Sequence, residues 1–425
     1  MSTAKKELLP LDEVAKRVRE MTSRKDWQAV AHLSARIPAT LTEEWVPVVD
    51  EIAFGCGLAK RAKLAMALYE QAWALQPGEW RRASAMAYIY YSAALERRQL
   101  EDTGRRAPET QEPPLASTLG ELREGFRTWI GEALALRPDS VKDLYRLGMF
   151  ESRVESEKEK TALRAFIQGL EAWERLPAKL AERGDMVKYR HKLMYAGARS
   201  ALAIGKLGWA RRLSFQCIRE DVEGAHVARV FQLALGGKVC LAAGEPANAE
   251  RAFRLALDAP GPRHRDFLFG YLADARAAQG DVNDAIAVID EGVPPARRAA
   301  FLWRKLGDYF LEAGSLKQAS KCFEACLAKD RMGRHLTLVR LGKVALKQDA
   351  AKEAERYFRK ARDYRRKMYQ SEDREAISGL IEALERRGKT DELAELRRTL
   401  ATMERRGGGS NPPIEAYEHE LRETA

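Results

Sequence analysis

The chain has 425 residues, with 73 Lys plus Arg against 62 Asp plus Glu and a formal net charge of +11. Alanine, leucine, arginine and glutamate dominate and β-branched runs are almost absent, which predicts an all-α protein. No run approaches the roughly 18 apolar residues of a membrane helix, and Met1 to Glu7 leads into an amphipathic segment without an apolar signal core. The expectation is a soluble, cytoplasmic protein whose five dispersed cysteines stay reduced.

In chain order, Leu11 to Met21 reads as a helix with Val14 and Val18 on one face, and Trp27 to Ile37 as its partner. Val46 to Cys56 and Ala62 to Leu75 form the next pair. Arg82 to Arg98, rich in tyrosine, pairs with Thr118 to Leu136 across Glu101 to Leu115, whose prolines predict an inserted loop. Val141 to Arg153 pairs with Lys160 to Trp173, and Pro177 to Asp185 reads as a spacer. His191 to Ile204 then pairs with Trp209 to Arg219, Val230 to Ala242 with Ala247 to Leu257, and Phe267 to Gln279 with Val282 to Gly292.

The clearest signal follows, from Ala300 to Ala361. Trp303, Leu306, Gly307, Phe310, Ala319, Phe323 and Cys326 recur at the same offsets as Leu338, Leu341, Gly342, Ala345, Ala354, Phe358 and Ala361. A turn divides each unit, at Ala313-Gly314-Ser315 and at Gln348-Asp349-Ala350. This spacing resembles the tetratricopeptide repeat, whose period is about 34 residues. Leu147-Gly148 and the segment from Val230 onward share the pattern. Ala376 to Arg387 and Asp391 to Arg405 make a last, degenerate pair, as terminal units of an array do.

The resemblance implies an α-solenoid of about ten antiparallel helix pairs in a right-handed superhelix. Degenerate pairs are expected over 1–185, with the inserted loop at 101–115. The better array is expected over 186–406, followed at 407–425 by a glycine-rich linker and an acidic tail. In that tail Ile414, Tyr417 and Leu421 share one helical face, so the tail is a candidate to lie on a basic surface of its own chain.

No glycine-rich phosphate loop, nucleophile elbow, His-Glu-x-x-His or Cys-x-x-Cys occurs, so no enzyme, metal or cofactor is expected. Cys326 reads as core and Cys322, one turn away, as surface. The six histidines read as polar surface or capping residues. What remains is binding. In tetratricopeptide arrays the first helix of each pair lines a concave groove. That resemblance places Lys192, Tyr195, Arg199, Phe231, Lys238, Phe267, Asp274, Arg304, Asp308, Leu311, Val339, Lys343 and Lys347 on one inner wall, largely basic with apolar interleaving. The expected partner is a protein offering an acidic or amphipathic segment.

Roughly 28 basic and 17 acidic residues lie between Arg297 and Arg406, so this third carries the whole excess charge. Lys352, Arg356, Arg359, Lys360, Arg366 and Lys367 form an outward basic patch there. The alternative function is therefore a nucleic-acid-associated accessory or regulatory protein using that third, although there is little aromatic interleaving for base stacking on this face and no nucleic-acid motif.

Overall fold

A computed structural model describes residues 8–103, 114–155, 158–260, 265–330 and 333–407. The described residues hold helices and no β-strand. They divide into two compact units, one within 1–244 and 258–261, the other within 245–257 and 262–425.

The first unit contains α1 (Leu11–Ser23), α2 (Trp27–His32), α3 (Val46–Leu58), α4 (Ala62–Leu75), α5 (Trp80–Thr103) and α6 (Leu119–Leu136). It continues with α7 (Val141–Arg153), α8 (Glu159–Glu174), α9 (Ala178–Ala181), α10 (Gly184–Ala203), α11 (Leu207–Glu220) and α12 (Arg229–Ala242). Successive helices pair, α3 on α4, α7 on α8 and α10 on α11, because short connections join them, and α5 pairs with α6 across residues 104–118. α10 packs on both α8 and α11, so residue 185 falls inside continuous helical packing and the compact unit runs on to Gly244.

The second unit takes α13 (Pro246–Asp258), α14 (Asp266–Ala277), α15 (Val282–Gly292), α16 (Ala300–Glu312), α17 (Leu316–Lys329), α18 (Arg334–Lys347), α19 (Ala351–Tyr369), α20 (Arg374–Arg386) and α21 (Leu393–Gly407). Here α14 packs on α15, α16 on α17, α18 on α19 and α20 on α21. Both repeat turns pass through the left-handed region, at Gly314 with φ +75° and at Asp349 with φ +58°. A residue there lets the chain reverse directly after a helix.

Each glycine of the repeat signature lies against an aromatic ring of the second helix. Gly148 meets Phe166, Gly307 meets Phe323 and Gly342 meets Phe358, and all three rings are fully buried. A Cβ on Gly342 would stand 2.6 Å from the Phe358 ring, closer than carbon atoms pack. Ala319, Cys326, Ala354 and Ala361 are buried beside these rings, as small residues must be where two helices approach.

Several expectations are corrected. The 177–185 spacer is instead α9 and the start of α10. Its charged residues Arg183 and Asp185, and Lys188 just after, are exposed and hid the helix. Cys322 is buried, not exposed, since it packs into the cluster of Ile289, Val293, Leu306 and Tyr309 formed with the preceding pair. His191 and His335 are buried as well. His191 Nδ1 lies 2.8 Å from the Val187 carbonyl one turn earlier, and the Arg365 guanidinium donates to His335 Nε2 at 2.9 Å, so local partners offset part of the cost of burial. Of the inserted loop at 101–115, the first residues prolong α5 to Thr103 and Leu115 packs on the core. Residues 104–113, and the tail from 408 with Ile414, Tyr417 and Leu421, lie outside the described residues.

Where the chain re-enters at α6, Thr118 and Glu121 form a reciprocal capping box. Thr118 Oγ1 accepts from the Glu121 amide at 3.1 Å and Glu121 Oε2 accepts from the Thr118 amide at 2.9 Å. Bonds from Thr118 and from the Ser117 amide hold the Glu121 carboxyl below its ordinary value of 4.5. A lowered folded value contributes stability above the unfolded value and loses it as pH falls through the folded one. We expect Thr118→Ala to cost about 1 kcal/mol in urea denaturation at pH 7, and this difference to shrink in acid. A cost unchanged below pH 3 would show that the carboxylate takes no part.

Candidate partner-binding site

The first helices of the pairs in the second unit are α14, α16, α18 and α20, and their facing side chains are joined by charge. Lys305 on α16 donates to Asp274 Oδ2 on α14 at 2.6 Å, and the Tyr309 hydroxyl donates to Asp274 Oδ1 at 2.6 Å. Arg340 on α18 donates to Asp308 on α16 at 2.8 Å. Lys343 on α18 donates to Glu375 on α20 at 2.7 Å. Lysine donation lowers the Glu375 carboxyl below its ordinary range, while burial, with the Asp274 carboxylate beside it, pushes the Tyr309 phenol far above its ordinary range. These pairs occupy equivalent positions in successive repeats and connect each first helix to the next.

Other residues expected on the wall are distributed differently. Arg304 is turned toward Asp330 at the end of α17. Val339 is buried in the core between α18 and its neighbours. Lys347 is exposed and has no ion-pair partner among the described residues. In the first unit, Lys192 sits over the Tyr145 and Tyr189 rings, with its ammonium 5.7 and 5.9 Å from their centroids. Desolvation, with Lys188 nearby, lowers its pKa. Arg199 donates to Ser152 Oγ at 3.2 Å, Tyr195 and Lys238 are half-buried, and Phe231 is exposed. Phe267, half-buried in the second unit, meets Tyr271 edge-on.

The outer basic patch is likewise partly committed. Arg359 donates to Glu355 at 3.0 Å and to Glu392 at 2.8 Å, and Arg356 to Glu353 at 3.0 Å. Arg366 donates to Glu372 at 2.7 Å. Lys352, Lys360 and Lys367 are exposed and have no ion-pair partner among the described residues. The surplus charge of this third of the chain therefore resides in dispersed lysines more than in one continuous field.

Large apolar side chains stay exposed on first helices at intervals of about one repeat. Phe54 on α3 and Tyr88 on α5 form one such couple, and Phe301 on α16 and Leu336 on α18 another. With the glycine–aromatic contacts and the charge ladder, three independent features recur in step along successive pairs. The architecture is tetratricopeptide-like.

No family model matches the sequence, and no curated protein matches it. Solved structures similar to it include a tetratricopeptide repeat protein from Parabacteroides merdae, with 15% identity and a TM-score of 0.49 over 69% of this chain and 99% of that one. The APC/C hetero-tetramer Cut9-Hcn1 matches with 13% identity and a TM-score of 0.39 over 92% of this chain and 87% of that one. Yeast Tom70 matches with 11% identity and a TM-score of 0.41 over 92% of this chain and 91% of that one.

Among the described residues of this tetratricopeptide-like chain, no group of three His, Cys, Asp or Glu side chains is placed to hold a metal ion, and no helix is long and apolar enough to cross a membrane. Sequence reasoning missed Phe54 and Tyr88. The signal available was their separation by one repeat length on helices already assigned as first helices.

Proposed function

We propose that the chain is a non-enzymatic scaffold that holds an acidic or amphipathic segment of a partner protein against its first helices. The observation that carries this reading is the recurrence of exposed apolar side chains at equivalent first-helix positions, Phe54 with Tyr88 and Phe301 with Leu336. More than a third of each of these residues stays in water, and a bound segment that covered them would remove that apolar surface from it. In the first unit Lys192, Arg199 and Lys238 supply cations and Tyr195 and Phe231 rings, and in the second Lys347 supplies a cation and Phe267 a ring, each a combination suited to carboxylates spaced along an apolar face.

The test is affinity recovery from the native cell using the wild type, an Arg199→Glu/Lys238→Glu/Lys347→Glu variant and a Phe301→Ser/Leu336→Ser variant, each with and without nuclease. A protein partner that survives nuclease and is depleted about tenfold by each variant is the expected result. Partners that vanish on nuclease treatment would replace this reading with nucleic-acid association through the basic carboxyl-terminal third.

A further inference from the structure

A cavity of about 1120 Å³ opens in the first unit between α3, α5, α7, α9 and the start of α10. Four large apolar residues on its lining, Phe54, Leu58, Tyr88 and Leu180, are 52%, 42%, 46% and 39% exposed. Two of them are held in place, Phe54 by an edge-on contact with Trp27 and Tyr88 by the Arg146 guanidinium 4.7 Å from its centroid. Fixed rings lose little conformational freedom when something covers them.

The cavity floor is polar and built. Arg146 is only 7% exposed. Its Nη1 donates to the Ser84 carbonyl at 2.8 Å, to Ser84 Oγ at 2.8 Å and to Asp143 Oδ1 at 3.0 Å. Among the described residues all of its hydrogen bonds use that one nitrogen, and Nε and Nη2 make none. Beside it stands Lys142, whose pKa is lowered by desolvation and by Arg146, so a neighbouring anion would favour its charged form. The other cavity arginines already face acids: Arg82 is paired with Asp50, Arg81 with Glu79, Arg137 with Asp139 and Arg183 with Asp185. One lining carboxylate, Glu96, has no cation among the described residues. Against it stand Lys60 and Lys142, and Arg146, whose charge is met by Asp143 but whose Nε and Nη2 make no hydrogen bond among the described residues.

We propose that this cavity receives a partner peptide in which an Asp or Glu lies within a few residues of a bulky apolar side chain, the carboxylate meeting Arg146 and Lys142 and the apolar group filling the Phe54, Leu58, Tyr88 and Leu180 surface. This rests on the scaffold reading and gives it a location and a chemistry. A guanidinium anchored through one nitrogen presents the other two in one plane, which matches a carboxylate. The apolar wall excludes water around that contact and strengthens it.

The experiment is selection of random twelve-residue peptides on the full chain, followed by affinity measurement of the enriched sequences as synthetic peptides. Enriched peptides should share an acid beside Phe, Trp, Tyr or Leu. Their affinity should fall about tenfold or more in Lys142→Glu and in Tyr88→Ser, both of which change residues outside the buried core. Arg146→Met combined with Asp143→Leu, which removes both buried charges together, should abolish binding while circular dichroism remains that of the wild type. Enriched peptides without an acid, or affinity unchanged in Lys142→Glu and Tyr88→Ser, would overturn the proposal. Peptides that lose affinity in Phe301→Ser/Leu336→Ser but keep it in the cavity variants would also overturn it and leave the scaffold reading standing. Failure to enrich any peptide would overturn the cavity site as well, whereas the scaffold reading falls only if partner recovery fails too.

Discussion

Phe358→Ala should destabilise the second unit by about 3–5 kcal/mol, as full truncation of a buried aromatic does. The ring is completely buried and lies against two glycines on different helices, Gly342 of α18 and Gly379 of α20. One side chain thus fastens its own repeat and the next. The two glycines leave no side chain that could swing into the space, so the cavity would stay close to the full volume of the ring. In a repeat array each unit is held mainly by its neighbours, so the loss should appear locally. Amides of α18, α19 and α20 should lose protection from hydrogen exchange, and those of α3 to α8 should keep it. The reciprocal change, Gly342→Leu, should have a similar effect by overpacking. A cost below about 1 kcal/mol for Phe358→Ala would mean that the contact is not what joins the pairs.

The second large effect is expected at Asp143. Its side chain is fully buried, and its oxygens accept from Ser84 Oγ at 2.7 Å, Ser140 Oγ at 2.6 Å and Arg146 Nη1 at 3.0 Å. Asp143→Ala removes the anion and leaves a buried guanidinium without its counter-charge, for which about 3–5 kcal/mol is the expected loss. Arg146→Met alone should cost a similar amount by orphaning the carboxylate. The combination Asp143→Leu/Arg146→Met should recover most of it, because apolar residues of similar size avoid both desolvation penalties. Urea denaturation of the three variants checks this. Strict additivity would show that the two charges are not coupled. If the double variant is nearly as stable as the wild type, this buried pair is kept for something other than stability, and its position at the floor of the α3–α5–α7 cavity supplies a reason.

Fold was legible where packing imposes residue size. Gly307 and Phe323 could be read as touching because only a glycine admits a ring so close to a helix backbone, and that constraint survives in the one-dimensional pattern. The cavity was not legible. Phe54 lies on a first helix that carries the signature loosely, the partner of the Tyr88 helix comes only after the 101–115 insert, and nothing local separates an exposed Phe from a core Phe on a mostly apolar helix such as α3. Charge was misleading for a related reason. Lys343 reads as a free cation from its neighbours in sequence, but its partner Glu375 is on the next first helix, and Arg304 faces Asp330 at the end of its own pair. Contacts about one repeat apart are invisible to local composition. His335 is similar: an imidazole near a helix start resembles a cap, and its partners, Arg365 and Tyr369 on the following second helix and the Asp373 carboxylate beyond it, come 30 or more residues later.

The charge ladder of the second unit has a direction. In its first two rungs the acid comes from the earlier helix and the base from the later one, Asp274 with Lys305 and Asp308 with Arg340. In the third the order is inverted, Lys343 with Glu375. Excising the α16–α17 pair would bring Asp274 opposite Arg340, and the seam would still match. Excising the α18–α19 pair would set Asp308 against Glu375, two like charges. Duplication or loss of a module is therefore tolerated electrostatically at one junction and opposed at the other. The inverted rung thus specifies which helix α20 follows.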